Sequence, residues 1–262
     1  MILQAWRFRH LVGELARREL VLRHRGSYIG ALWSLLQPCT LLAIYTLAFG
    51  LMPGMAGPLD AGGAAGFALN VFPGLVVFQA LADVLNRSPM LVSGNPVYVK
   101  KVVFPLEVLP ISLVLVALAQ AMTGLTVWML AHAAFFGQFP AGALFIPLLL
   151  VLFAPVLLGM GWIFAALGVF YKDLSHLSGP LGQALLFLSP VFYRLDGVQA
   201  RYQSLLLFNP LTLIVDQMRS AVQLGRLSAL ADLGLYALVS WCFAWLAWRF
   251  FCSLRGDFAD LV

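Results

Sequence analysis

Charge is what this sequence has least of. Of its 262 residues only 10% are Asp, Glu, Lys or Arg, against 62% hydrophobic, and the mean hydropathy is +0.93. Soluble domains are about 25% charged. So little polar surface cannot cover so large an apolar interior. A soluble enzyme, a nucleic-acid-binding domain and a disordered chain are excluded. The chain reads as an all-α integral membrane protein of several helices.

Lysine is scarcer still, with Lys100, Lys101 and Lys172 as the whole complement. None completes a GxxxxGK[ST] phosphate loop, so the chain is not its own ATPase. GxSxG, HExxH and Cys/His clusters are also missing. The three cysteines, Cys39, Cys242 and Cys252, lie in or beside apolar runs without a CxxC, and read as small buried hydrophobes. The first 25 residues interleave Arg with apolar residues, unlike a cleavable leader. Acids at mid-membrane, the mark of ion-coupled carriers, are lacking. Asp83, near one end of its apolar tract, can pair with Arg87 four residues on, and Glu107 lies close to Lys100 and Lys101.

Charge-free tracts locate the spans, because a charge at the bilayer centre is costly. Between Arg25 and Asp60 lie 34 uncharged residues, and between Asp60 and Asp83 lie 22. Glu107 to Lys172 leaves 64, broken at HAAFFGQFPAG, and Asp173 to Arg194 leaves 20. Asp232 to Arg249 leaves 16, and Leu227, Leu230 and Leu233 extend its apolar face. A span needs roughly 20 residues. Six are expected, near 30–51, 67–85, 106–131, 144–170, 178–193 and 230–250, in one transmembrane domain covering 1–262. With both termini on one side, that side carries twelve basic residues and the other four. Basic residues favour the cytoplasm, which puts both termini there.

Three elements do not read as spans. Residues 1–26 form a basic amphipathic helix, with Phe8, Leu11, Val12, Leu15 and Leu22 at helical spacing and Arg17 and Arg18 on the other side. It should lie in the cytoplasmic interface, as an anchor or as a collar for a partner. The loop 86–105 is punctuated by Pro89, Pro96 and Pro105, yet is too apolar for a solvated loop. A short helix after Pro96 would show Lys100 and Lys101 beside an apolar face, which suits docking. Residues 194–226 read as two short helices that re-enter the outer leaflet, broken at Asn209-Pro210. Asp216 and Arg219 could pair on the second.

The remaining chemistry is aromatic: 20 Phe, 7 Trp and 7 Tyr. Trp33 suits an interface belt. Tyr45, Phe49, Phe78, Trp128, Trp162, Phe164 and Phe187 sit at span depth, where a belt does not explain them. Core packing accounts for most of these. A channel lined by aromatic faces would also suit sugar rings, holding them weakly at many points.

Specific stretches point further. RHRGSYIGALWSLLQP (23–38), GNPVYVKKVVFPLEVLP (94–110), FYKDLSHL (170–177), LSPVFY (188–193), FNPLT (208–212) and GDFADLV at the end run in order along nearly the whole chain. In these the sequence resembles the membrane-spanning permease of ABC polysaccharide exporters, the type-two exporters that move O-antigen, capsular polysaccharide or teichoic acid. The resemblance implies a homodimer in the bacterial inner membrane, bound to two copies of an ATPase subunit that holds the ATP and Mg²⁺. No cofactor and no nucleic acid is implied for this chain itself. Arg17, Arg18, Asn95, Pro96, Lys100, Lys101 and Glu107 would then couple to the ATPase. Asn209, Pro210, Asp216 and Arg219 would belong to outer gate helices, and Tyr193 would join the channel-lining aromatics. The substrate would be a lipid-linked polysaccharide whose diphosphate could meet the basic N-terminal helix. An exporter of a drug or lipid with the same architecture is the alternative.

Overall fold

The computed structural model describes residues 8–24, 32–50, 63–99, 104–228 and 230–261. Helix α1 spans Arg9–His24 and α2 Trp33–Gly50. Helix α3, Gly63–Arg87, runs into a 3-10 turn at Ser88–Met90, and α4 is the single turn Pro96–Val99. Helices α5, α6 and α7 are Val108–Phe136, Phe145–Phe170 and Leu174–Phe187. Helices α8 and α9, Ala200–Leu207 and Pro210–Leu224, precede the long α10, Leu230–Leu254, and α11, Phe258–Leu261. No strand occurs among the described residues.

Among the described residues four stretches are long and apolar enough to cross a membrane: Ala65–Met90, Val108–Phe136, Gly142–Phe170 and Leu230–Asp257. The other two expected spans are shorter. The apolar part of α2 is Trp33–Ala48. Helix α7 has 14 residues, about 21 Å at a rise of 1.5 Å per residue, against a hydrocarbon core of about 30 Å. The tract 174–193 is uncharged for long enough, but Pro190 cannot donate to the carbonyl four residues back. The helix therefore stops at Phe187 and the chain turns through 188–191.

Helix α3 is the central post. Phe72, Val77, Leu81, Val84 and Leu85 are fully buried, and the helix packs against α2, α5, α6, α7 and α9. Helix α10 packs along α6, while its Leu235, Leu238, Trp241, Trp245 and Leu246 stay exposed, as on a face meant for lipid or another chain.

A second apolar cluster lies where the loop after α3 meets the C-terminal tail. Val92 and Val99 of the loop meet Leu106, Leu109, Trp162, Val169, Phe251 and Phe258. The fit is tightest at Gly168, where any Cβ would overlap the Pro89 carbonyl oxygen. The loop that composition marks as too apolar is thus buried in part against α6, α10 and the C-terminal tail.

Cysteine behaves otherwise than expected. Cys39 and Cys242 are exposed on this chain and Cys252 is half-buried. Apolar surroundings in sequence do not mean burial in the chain when a helix can face lipid.

Candidate functional site

At the end of the bundle that carries α1, here the inner end, α1 is bound to the bundle by charge. Arg23 sends Nη2 to Asp83 Oδ2 of α3 at 2.5 Å, and its Nη1 bonds Gln120 of α5. Arg87 of α3 pairs with Glu19 of α1. The expected local pairing of Asp83 with Arg87 is therefore replaced by two pairings across helices. Val12 is buried and Leu15 packs on the inner cluster. Helix α1 lies against α5, while Val21 and Leu22 remain exposed.

This charge network closes the inner end of a cleft of about 440 Å³ between α2, α3 and α5. Its polar lining is Arg23, Ser34, Gln37, Gln79, Asp83, Arg87 and Gln120, with Trp33, Leu41, Phe72 and Val76 as apolar walls. Trp33, Gln37 and Gln79 are exposed. From Arg87 back to Phe72 the cleft follows α3 for 15 residues, about 22 Å of helix at 1.5 Å per residue. It therefore reaches well into the span.

The sequence-selected docking residues divide. Arg17 and Arg18 are exposed, and Arg18 Nη1 donates to the Tyr98 hydroxyl at 2.5 Å, which sets α1 beside the loop. The Asn95 side chain turns inward, its Nδ2 donating to the Leu91 carbonyl at 2.9 Å. The Asn95 carbonyl accepts from Tyr98 and Val99, so Asn95 and Pro96 start α4. Glu107 is buried and paired with Arg255 at 3.2 Å, tying the loop to the tail. It thus holds the inner cluster and does not offer itself to a partner. Lys100 and Lys101 lie outside the described residues. The inner face exposes Arg17, Arg18, Val21 and Leu22 of α1, Met90, Pro96 and Val97 of the loop, Tyr171, Lys172 and Asp173 of the α6–α7 turn, and Leu177 of α7. The 3-10 turn beside Met90 packs on α6 and α7, which joins that turn to the loop.

Half of the eight selected aromatics are packing residues. Phe78, Trp128, Trp162 and Phe164 are at most 8% exposed. Trp128 Nε1 donates to the Leu69 carbonyl at 2.7 Å, and Trp162 Nε1 to the Glu107 carbonyl at 3.1 Å, so each indole bolts two elements together. A passage is lined by exposed surface, and these four expose almost none. Phe187 is exposed, whereas Tyr45 and Tyr193 are half-buried, Tyr45 facing Phe192. The Phe49 side chain lies outside the described residues.

At the opposite end two helices flank Asn209, as the sequence suggests. Asn209 Oδ1 accepts from the Leu211 amide at 3.0 Å and caps α9, and its Nδ2 donates to the Leu185 carbonyl at 2.7 Å. Pro210 takes the first helical position, and its carbonyl accepts from the Tyr236 hydroxyl at 2.9 Å. Gly225 ends α9 with φ at 65°, which side chains other than Gly adopt at a cost. Arg219, 7% exposed, donates to the carbonyls of Pro190, Val191 and Tyr193 at 2.6–3.1 Å. Burial disfavours its charge, and Asp216 one turn earlier offsets part of that. The direct partners of Arg219 are thus the orphan carbonyls after α7, which the sequence could not reveal. Leu211, Ile214, Val215 and Met218 are buried in the main core, so α9 is a fixed strut while α8 leaves Leu205, Leu207 and Phe208 exposed.

The described residues define an all-helical membrane-protein class, with four stretches able to cross a membrane, and comparison makes the class specific. The ABC-2 type transporter family model matches residues 10–222, and the chain belongs to that family. It is 27% identical over 265 residues to the O-antigen export system permease protein RfbA of Myxococcus xanthus, covering 100% of this chain and 99% of that one. It is 25% identical over 217 residues to the protein of the same name from Klebsiella pneumoniae, covering 82% of this chain and 80% of that one. It is 28% identical over 242 residues to the polysialic acid transport protein KpsM of Escherichia coli, covering 87% and 88%.

Proposed function

We propose that this chain is the permease subunit of an ABC exporter that carries lipid-linked polysaccharide, O-antigen-like or capsular, across the bacterial inner membrane. ATP hydrolysis occurs in a separate subunit, which holds the nucleotide and Mg²⁺. The observation that carries this reading is similarity along the whole chain to a permease named for O-antigen export. In the active assembly two copies of this chain meet two ATPase subunits. The chain crosses the membrane six times with both termini in the cytoplasm, α2 and α7 with its following turn supplying the two shorter passes. The charge asymmetry of the loops supports that orientation. The inner face of Arg17, Arg18, Val21, Met90 and Val97 mixes cations with apolar groups, as a surface docking another protein does. Residues 194–226 form the outer cap of the passage.

Deletion of the gene tests the reading. Polymer should accumulate inside the cell and vanish from the surface, and the wild-type chain should restore it. Lys100→Glu with Lys101→Glu should insert normally yet fail to restore export, because each reversal sets like charges against a docking partner. Normal surface polymer in the deletion strain overturns the export reading. Normal export by the double variant overturns the docking role of the loop.

A further inference from the structure

We propose that the inner cleft between α2, α3 and α5 is a subsite for neutral, hydroxyl-rich sugar units of the transported polymer. This rests on the export reading and adds to it where, and by which groups, the chain is held. The volume, about 440 Å³, falls in the range of about 300–1,000 Å³ usual for ligand sites. The lining is what carries the proposal. Gln37, Gln79 and Gln120 come from three different helices and converge on one cleft. Each primary amide offers two donors and an acceptor, which matches adjacent hydroxyls that both give and take hydrogen bonds. Trp33 adds a flat apolar wall of the kind on which the C–H face of a sugar ring rests. Such polar groups at membrane depth are costly against lipid and mark pathways. Gln79 is exposed in the middle of the mostly buried α3, so it faces a passage more cheaply than it faces hydrocarbon.

The charges at the cleft argue against a phosphate ligand. The cations Arg23 and Arg87 are already matched by Asp83 and Glu19, and the ion pairs join them directly. A diphosphate entering there would meet two carboxylates. Among the described residues Arg23 Nε finds no hydrogen-bond acceptor, and lies 3.8 Å from Glu19 Oε1. A neutral network of amides, one indole and balanced ions holds sugars weakly, which movement requires.

The test uses the full chain, its ATPase partner and the host's own polymer. Cys39, Cys242 and Cys252 are replaced by Ser, and Gln79→Cys is introduced. A control carries Phe139→Cys, exposed between α5 and α6. Maleimide labelling is compared in membranes from cells that make the polymer and cells blocked in its first sugar transfer, with an ATPase partner unable to hydrolyse ATP. Polymer should slow labelling at position 79 several-fold and leave position 139 unchanged. In parallel, Gln79→Leu should reduce surface polymer several-fold, and Gln79→Asn should recover part of it. Equal labelling at position 79 with and without polymer, in a strain whose export depends on this chain, overturns the cleft and leaves the export reading standing. Full export by Gln79→Leu does the same. Slowing at both positions overturns the assignment to this cleft. Export independent of the chain overturns the export reading itself.

Discussion

Two arginines at opposite ends of the molecule answer the same problem in different ways. Arg219 near the outer end is 7% exposed and spends its bonds on three backbone carbonyls. Arg23 at the inner end spends its bonds on two side chains, Asp83 and Gln120, on the wall of a cleft. The first arrangement satisfies carbonyls left over where α7 stops, and it makes a rigid joint. The second joins side chains that can exchange partners with each other, with water or with a ligand. Burial of a charge therefore does not by itself mark a site. Its partners do: backbone acceptors indicate architecture, and mobile polar side chains around a cavity indicate use.

The comparison is broken most severely by Arg219→Met. Charged hydrogen bonds contribute about 1.5–3 kcal/mol each, and three carbonyls lose their donor at once. The variant should lose several kcal/mol, read as a clear fall in the melting temperature of the detergent-purified protein and in its membrane yield. Unchanged stability would mean that water serves those carbonyls as well as the guanidinium does.

Gly168→Ala should be next. Its Cβ would collide with the Pro89 carbonyl, and backbone is slow to give way, so a cost of about 1–3 kcal/mol is expected. Gly182→Ala meets nothing within 4 Å and should be neutral. Chemical denaturation of the two variants side by side checks this. Equal stability would show that the 3-10 turn after α3 slides freely on α6.

Asp83→Asn should cost least in stability and sharpen the contrast. The pair with Arg23 is partly exposed, with side chains 14% and 24% accessible, so about 1 kcal/mol or less is at stake. Surface polymer should nonetheless fall several-fold, since the carboxylate lines the cleft. A loss of export no larger than the loss of folded protein would make this end a joint like the other.

Much of the architecture was legible from sequence. The long apolar tracts became α3, α5, α6 and α10, and the break at Asn209-Pro210 became the boundary of two helices. These are local consequences of hydropathy and proline chemistry. The tract 174–193 holds a helix shorter than its uncharged length, because Pro190 interrupts it. Nor does the sequence tell core aromatics from surface ones. Trp128 and Phe187 are equally apolar in sequence, yet one is fully buried and the other is 69% exposed. The amides of the cleft were overlooked because Gln37, Gln79 and Gln120 stand alone in their segments and show no spacing motif.

The sequence by itself determined that this chain is a helical membrane protein, where its long spans run and which end its cations favour, because the cost of charge in lipid acts residue by residue. Only the tertiary structure decided which partners the charges take. Asp83 could have met Arg87 on its own helix, but Arg23 reaches it from 60 positions away and Arg87 turns to Glu19. An ion pair depends on a few ångströms between side chains, and helix packing sets those distances.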